Sequence, residues 1–395
     1  MKRVHILDPS CDGDLRAHHV NSVTGHAHAF TRAGCRVVLC ANARCSTAIK
    51  DTVVHPVFPY TIYDDVRKHH TNRHIRILKQ PCYFLLANKI YHLLKKIIDV
   101  HHINGIDHIF IPTLDWILFQ ALARLYAGDR TMLPSLHLLL MYEKANWMTG
   151  GYPYLKILQG IRKLQDRGKN IFIYTETRKH AMRLQDTLGF VPDNYPFPAL
   201  PVAGPAPVAK DNNKIRIGVL GGGRRDKGYN LLPDIIRIFN KSYTGSKEVI
   251  FIIQRARRED LLEKETGLLK QIKNVVLLEN RIPVQVYENN LLQCHVALFP
   301  YSDVYATRGS GAVNEAVANG IPIICSGDTA LAEAITCGNG LTAATAVEFA
   351  LAIINIIGRL DFYTTQAKNA KESYLDNLYG NPVIRNINST SAQNE

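Results

Sequence analysis

The residues best equipped for chemistry in this chain lie in two stretches of its second half. The first follows an apolar strand, Lys214 to Leu220, and reads Gly221-Gly222-Gly223-Arg224-Arg225-Asp226-Lys227-Gly228. Glycines let a backbone approach a ligand closely, and two arginines with a lysine supply a guanidinium fork and a point charge suited to phosphate oxygens. The loop is not a P-loop, because Gly223 and Gly228 have the required separation but Tyr229 stands where Lys should follow. Nor can a G-x-G-x-x-G dinucleotide fingerprint be laid over it. The second stretch, Cys294 to Ala334, reads as an apolar strand from His295 to Pro300 and a polar loop ending in Gly309, Ser310 and Gly311. A helix follows through Glu315 and Ala318, stopped by Gly320, and then a strand from Ile321 to Cys325. A strand feeding a Gly-rich loop that opens a helix leaves unpaired N–H groups and the positive end of the helix dipole at one spot, where a phosphate can sit. An ordinary strand-to-helix turn also uses Gly and Ser as caps, so it is the pair of stretches that carries the reading.

Such loops need strands to hold them. At 395 residues the chain fits two domains of roughly 150–200 residues each. In the first half a strand at Val4–Leu7 and a polar loop from Asp8 to Arg16 precede a helix from His18 to Ala33, stopped by Gly34. Strands at Val37–Ala41 and Val53–Phe58, a basic run from Arg67 to Lys79 and a helix from Cys82 to His101 follow. Three strand–helix units come next, with strands at His108–Pro112, Leu133–Leu140 and Ile171–Thr175. In the second half the strands are Ile215–Leu220, Val249–Gln254, Val275–Glu279, His295–Pro300 and Ile321–Cys325. The expected fold class is α/β, with two Rossmann-like, doubly wound parallel-sheet domains facing each other across a cleft. Residues 1–195 form the first, 196–213 a Pro-rich linker, 214–362 the second, and 363–395 a C-terminal helix whose polar end, from about Asn386, frays.

Composition narrows the partners. With 46% apolar and 21% charged residues, no apolar run of about 18 residues and an N-terminus that reads as a strand, the chain is expected to be cytoplasmic. The net charge of +13 is uneven: residues 1–200 hold 26 Lys and Arg against 15 Asp and Glu, and 15 of the 16 histidines. That half should face something acidic, such as an anionic membrane surface, a phosphorylated lipid carrier or an acidic polysaccharide. The helix from Cys82, apolar at Phe84 and Leu85 with Lys89, Lys95 and Lys96 between, suits peripheral docking on such a surface or a core helix with a solvated face. Nucleic acid fits poorly, because the basic run lacks interleaved aromatics for stacking. Eight cysteines without a C-x-x-C pair read as reduced, mostly buried thiols, and His26, His28, Cys35 and Cys40 match no standard zinc spacing. Adjacent histidines such as His18-His19 read as solvated surface.

Taken together, these residues resemble the GT-B retaining glycosyltransferases of family 4 (glycosyl transferases group 1). There a Gly-rich loop carries an Arg and then Lys-Gly, as Gly222, Arg224 or Arg225, Lys227 and Gly228 do here. Further on, a strand ending in Pro leads to a helix with two glutamates and then a Gly-x-Pro strand, as in Leu298-Phe-Pro300, Glu315 and Gly320-Ile-Pro322. One departure matters: eight residues before Glu315, where the family has its first glutamate, this chain has Thr307 and then Arg308. The resemblance implies a metal-independent transfer, with retention, from a UDP- or GDP-linked sugar to an envelope glycolipid or polysaccharide, as in lipopolysaccharide synthesis. It also implies a C-terminal helix returning to the first domain. Gly222, Gly223, Arg224, Arg225 and Lys227 would hold the donor diphosphate, Thr307, Arg308, Gly309, Ser310 and Gly311 would lie along it, and Glu315 would bind the ribose. Catalysis would draw on Arg224, Lys227 and Arg308, and on His137 facing the sugar; Asp12, Gly13 and Asp115 would meet the acceptor, although Asp115 also suits a helix cap. A same-fold hydrolase or epimerase, or an inactive nucleotide-sugar-binding partner, is the alternative.

Overall fold

The computed structural model describes residues 2–13, 18–50, 52–61, 80–128, 133–141, 154–203, 213–256 and 261–392; the basic run Arg67 to Lys79 lies outside them. The chain divides into two compact units, residues 1–196 with 378–395, and residues 197–377.

In the first unit, strands β1 (Arg3–Asp8), β2 (Arg36–Asn42), β3 (Val53–Phe58), β4 (His108–Ile111), β5 (Ser135–Leu140), β6 (Ile171–Thr175) and β7 (Asp193–Asn194) form one parallel sheet in the order β3-β2-β1-β4-β5-β6-β7. Every residue of β4 and β5 is buried, as a sheet covered on both faces requires. Helices α1 (His18–Arg32), α2 (Gln80–Val100), α3 (Trp116–Ala127), α4 (Tyr154–Asp166) and α5 (Arg178–Leu188) alternate with the strands. Ile90, Leu94 and Ile97 of α2 share a core with Leu118 and Leu122 of α3 and Leu136 and Leu138 of β5.

The second unit repeats the pattern. Strands β8 (Lys214–Val219), β9 (Glu248–Gln254), β10 (Val275–Leu278), β11 (Val296–Phe299), β12 (Ile323–Ser326) and β13 (Gly340–Ala343) are ordered β10-β9-β8-β11-β12-β13 and are all parallel. Its helices are α6 (Leu232–Ser242), α7 (Glu263–Lys270), α8 (Val284–Gln293), α9 (Gly311–Ala318), α10 (Ala346–Gly358) and α11 (Leu360–Tyr379). In each unit the chain winds one way from the first strand and then the other from the fourth, so β1/β4 and β8/β11 are the switch points beyond which such sheets bind ligands.

Three expectations change. The Pro-rich segment is in part seated rather than spanning: the Phe197 carbonyl accepts from the Tyr374 hydroxyl at 2.7 Å, and Val202 N–H donates to Asn319 Oδ1 at 2.9 Å. Residues 386–392 do not fray, because they belong to a last helix, α12 (Pro382–Ala392), which buries Val383, Ile384 and Ile387 in the first unit, where Asn386 donates to the Tyr174 hydroxyl. Strand β13 was not anticipated; Gly340 is forced there, since a Cβ would lie 2.0 Å from the Ile323 carbonyl oxygen. No described helix is long and apolar enough to cross a membrane.

Candidate functional site

The two chemical stretches meet at the β8/β11 switch point. After β8 the chain turns through Gly221 and Gly222, both at positive φ, into a short 3-10 turn at Arg225–Lys227 that ends at Gly228, also left-handed. Gly228 is pressed on the end of β11, and Ser302 N–H, just beyond that strand, donates to the Asp226 carbonyl at 3.0 Å. On the other side, a Cβ on Gly221 would lie 3.2 Å from the Cβ of Ala312 in the first turn of α9. Ser310 opens α9 without a side-chain cap bond, and the first amides of a helix are groups to which an anion can bind.

The charged groups gather around this junction. Lys227 Nζ donates to the Gly221 carbonyl at 2.6 Å and lies 5.5 Å from the centre of the Tyr301 ring. Arg224 grips Asp226 with two bonds of 2.9 Å and donates to the Tyr305 hydroxyl, while Arg308 lies over the face of the same Tyr305. Glu315, one turn into α9, accepts from the Tyr287 hydroxyl of α8. Burial raises its carboxyl above the usual range, against the Tyr287 hydrogen bond and the Lys227 charge, which both favour the carboxylate.

Three residues expected on the donor have other partners. Arg225 is exposed and reaches toward Glu265 of α7 at 3.9 Å. Gly222 donates its N–H, together with that of Gly221, to the single acceptor Gln254 Oε1, at 2.8 and 2.9 Å. Gly223 is packed against Tyr229 and the Ala256 amide, where a Cβ would lie 2.5 and 2.7 Å away. The glycines therefore let the protein close on itself. Neither Gln254, which also donates to the Asn280 carbonyl, nor Tyr287 was visible in the sequence.

In the first unit, Asp12, exposed, and Gly13 follow β1, and Gly13 gives its carbonyl to the Thr47 hydroxyl at 2.8 Å. Asp115 caps α3: Oδ1 accepts from Leu118 N–H at 2.8 Å and Oδ2 from the Tyr60 hydroxyl at 2.9 Å. Burial lifts its carboxyl to about 6 against those bonds. Asp115→Ala is expected to cost about 2–3 kcal/mol near pH 5, where the carboxyl is largely protonated, because it removes a cap and strands a buried hydroxyl, and clearly less at pH 7.5, where it also removes a buried charge, with Tyr60→Phe milder near pH 5; denaturant titration of both variants at the two pH values checks it. His137 lies fully buried on β5 between His108, whose Nδ1 is 3.0 Å from Nε2, and the Tyr174 hydroxyl, 2.8 Å from Nδ1. This is the geometry of a core histidine, with both ring nitrogens in use, and not of one facing a sugar. His19, read as surface, is buried with its Nδ1 2.8 Å from Asp8 Oδ2. The described cysteines are free thiols, six of them buried, and no described cluster could hold a metal ion.

No protein-family model and no curated protein matches this chain. Solved structures do. Sucrose-phosphate synthase from Thermosynechococcus elongatus superposes with a TM-score of 0.60 at 13% identity, covering 100% of this chain and 99% of that one. A glycosyltransferase from Rickettsia africae gives 0.61 at 11%, covering 98% of each. Anabaena HepE in complex with UDP gives 0.59 at 12%, covering 100% and 99%. The chain thus has the GT-B fold of these glycosyltransferases.

Proposed function

We propose that this chain is a glycosyltransferase that moves a sugar from a nucleotide-sugar donor, UDP- or GDP-linked, to an envelope glycolipid or polysaccharide, with retention and without a metal ion. One observation carries the reading: Arg224, Lys227, Arg308, the opening turn of α9 and Glu315 gather at the β8/β11 switch point of a GT-B fold. Breaking a sugar–phosphate bond puts negative charge on the departing diphosphate, and fixed cations and helix amides are the groups that stabilise it. Glu315, steadied by Tyr287, is suited to accept from ribose hydroxyls, and Thr307 in place of a carboxylate would leave the transferred sugar a neutral contact. Both oxygens of Asp226 are held by Arg224, so the loop's own carboxylate is committed to a guanidinium, which supports cationic rather than metal stabilisation. HepE is a structure with UDP, and with UDP and glucose, which makes UDP-sugars the first donors to try. The basic first half, with Phe84 and Leu85 exposed on α2, supports an anionic acceptor or peripheral docking at a membrane surface.

Thermal-shift and calorimetric titration with UDP, GDP and their common sugars, followed by radiolabel transfer, tests the reading. Arg308→Ala is expected to weaken donor binding about 10- to 100-fold with the melting temperature unchanged, and EDTA to leave turnover intact. Failure of every common nucleotide sugar to bind at millimolar concentration removes the proposal. Binding with neither transfer nor hydrolysis would assign an inactive partner, the reading that Thr307 favours.

A further inference from the structure

Two thiols meet beyond the C-terminal ends of β1 and β2 in the first unit. Cys11 lies in the loop after β1 and Cys45 in the loop after β2; both are buried free thiols, and their side chains share a hydrogen bond. The backbone fixes that meeting. Asn42 N–H donates to the Cys11 carbonyl at 3.1 Å, and Cys45 N–H donates to the Asn42 carbonyl at 2.9 Å, closing a turn that carries Cys45 back toward the first loop. The Asn42 side chain donates to the Pro9 carbonyl at 2.9 Å and Thr47 Oγ1 to the Gly13 carbonyl at 2.8 Å, so the two loops are tied on both sides of the pair. We propose that Cys11 and Cys45 are a redox-active pair: a small disulfide such as oxidised glutathione converts them to an intramolecular disulfide, and a thiol reductant reopens it. The bond would lock the loop that presents Asp12 and Gly13 onto the loop after β2. This inference is independent of the donor-site reading, whose residues lie in the second unit.

An S–S bond needs its sulfurs at about 2.05 Å, so hydrogen-bonded thiols have to close by about 1.5–2 Å. Both residues sit in loops rather than in strands, where the backbone can supply such a shift. The order of attack follows from access. Cys45 is flanked by exposed Arg44 and Ser46, whereas Cys11 is fully enclosed, and burial and then the Asp8 charge hold its thiol protonated. Cys45, as thiolate, attacks one sulfur of the small disulfide, forms a mixed disulfide and expels one glutathione thiolate, which takes up the proton that Cys45 released. Cys11 then attacks the Cys45 sulfur as its own proton passes to the second departing glutathione. Direct contact of the two side chains supplies the effective concentration that offsets the weak acidity of Cys11. Two protein thiols are oxidised to one disulfide, and one glutathione disulfide is reduced to two thiols.

Peptide mapping by mass spectrometry tests this on the full chain, incubated with oxidised glutathione at about pH 8, quenched with acid and alkylated in denaturant. Trypsin separates the cysteines of this region: Cys11 leaves in Val4–Arg16 and Cys45 in Cys45–Lys50, apart from Cys35 in Ala33–Arg36 and Cys40 in Val37–Arg44. Most of Cys11 and Cys45 is expected as those two peptides joined, a species that dithiothreitol abolishes. In Cys11→Ser, Cys45 is expected to stop as its glutathione adduct, and in Cys45→Ser, Cys11 to stay unmodified. The wild-type map decides alone if a variant does not fold. Recovery of Cys11 and Cys45 as alkylated thiols, while the exposed Cys82 carries glutathione, overturns the proposal. So does pairing of either residue with Cys40, or a joined peptide that forms only in urea.

Discussion

Gly228→Ala is expected to break the site and weaken the second unit together. A Cβ there would lie 1.8 Å from the carbonyl oxygen of Pro300 and 2.7 Å from its carbon, which are backbone atoms that cannot swing aside. The left-handed backbone, φ +71, adds about 1 kcal/mol of strain for any residue with a side chain. Relief requires the 221–228 loop to lift from the end of β11, which breaks the Ser302 to Asp226 hydrogen bonds and carries Arg224 away from Tyr305 and hence from Arg308. The expected cost is about 3 kcal/mol or more in stability, with donor affinity down about a hundredfold, since displacements near 1 Å suffice for such losses. Gly222→Ala is the control. Its φ of +79 carries the same strain, but nothing lies within 4 Å of the new Cβ, so about 1 kcal/mol should be lost and the cations should stay in place. Urea titration and calorimetry of the two variants separate strain from collision; equal effects would sink the account of Gly228 as the pin between the loops.

The contrast between these glycines shows what could be read in the sequence. The alternation of apolar runs with helical periods set the strands within a residue or two, because buried parallel strands such as Val249–Gln254 have no polar face to blur them. Glu315 could be placed because it lies at a fixed distance along one helix from a loop that must open that helix. Arg224 and Arg225 could not be told apart, as neighbours on a turn point in different directions, and only the fold shows one gripping Asp226 and the other reaching toward Glu265. Gln254 and Tyr287 left no local signal: their partners lie 32 and 28 residues away, joined through the order of the strands. The last helix was hidden by composition, since Asn, Ser and Thr have weak helix propensity and three apolar side chains, Val383, Ile384 and Ile387, do the anchoring.

The first unit is expected to lose stability steeply between pH 6.5 and 4 while the second is much less affected. His5, on β1, is 1% exposed, and neither of its ring nitrogens has a hydrogen-bond partner. It faces Arg3, His101 and His55, which oppose its charge, with Asp107, held by Arg3 at 2.6 Å, as the favourable neighbour. Burial above all lowers its imidazole to about 4, and burial likewise lowers His108 to about 4 and His137 further. The last two share one hydrogen bond, Nδ1 to Nε2, which has room for one proton and is broken if both rings are charged. A base lowered by folding stabilises fully above its unfolded value near 6.5, and that stabilisation drains away as the pH falls toward 4. His5 alone accounts for about 3 kcal/mol and the His108–His137 pair for at least about as much. Asp115 acts in the other direction: raised to about 6, it destabilises at neutral pH, and protonation returns about 3 kcal/mol. The net loss, about 3 kcal/mol by pH 4, is a large fraction of the 5–15 kcal/mol that holds a domain and corresponds to roughly 6–12 °C in melting temperature. Both tryptophans, Trp116 and Trp147, fall before residue 196 in the sequence, Trp116 buried in the first unit, and His295 is the one histidine after that point, so indole fluorescence reports on the acid-sensitive half. His5→Leu removes the unpaired ring without adding charge and should leave the slope between pH 6.5 and 4 close to flat, since Asp115 then offsets the His108–His137 pair; an unchanged slope would show that His5 is not the group that titrates.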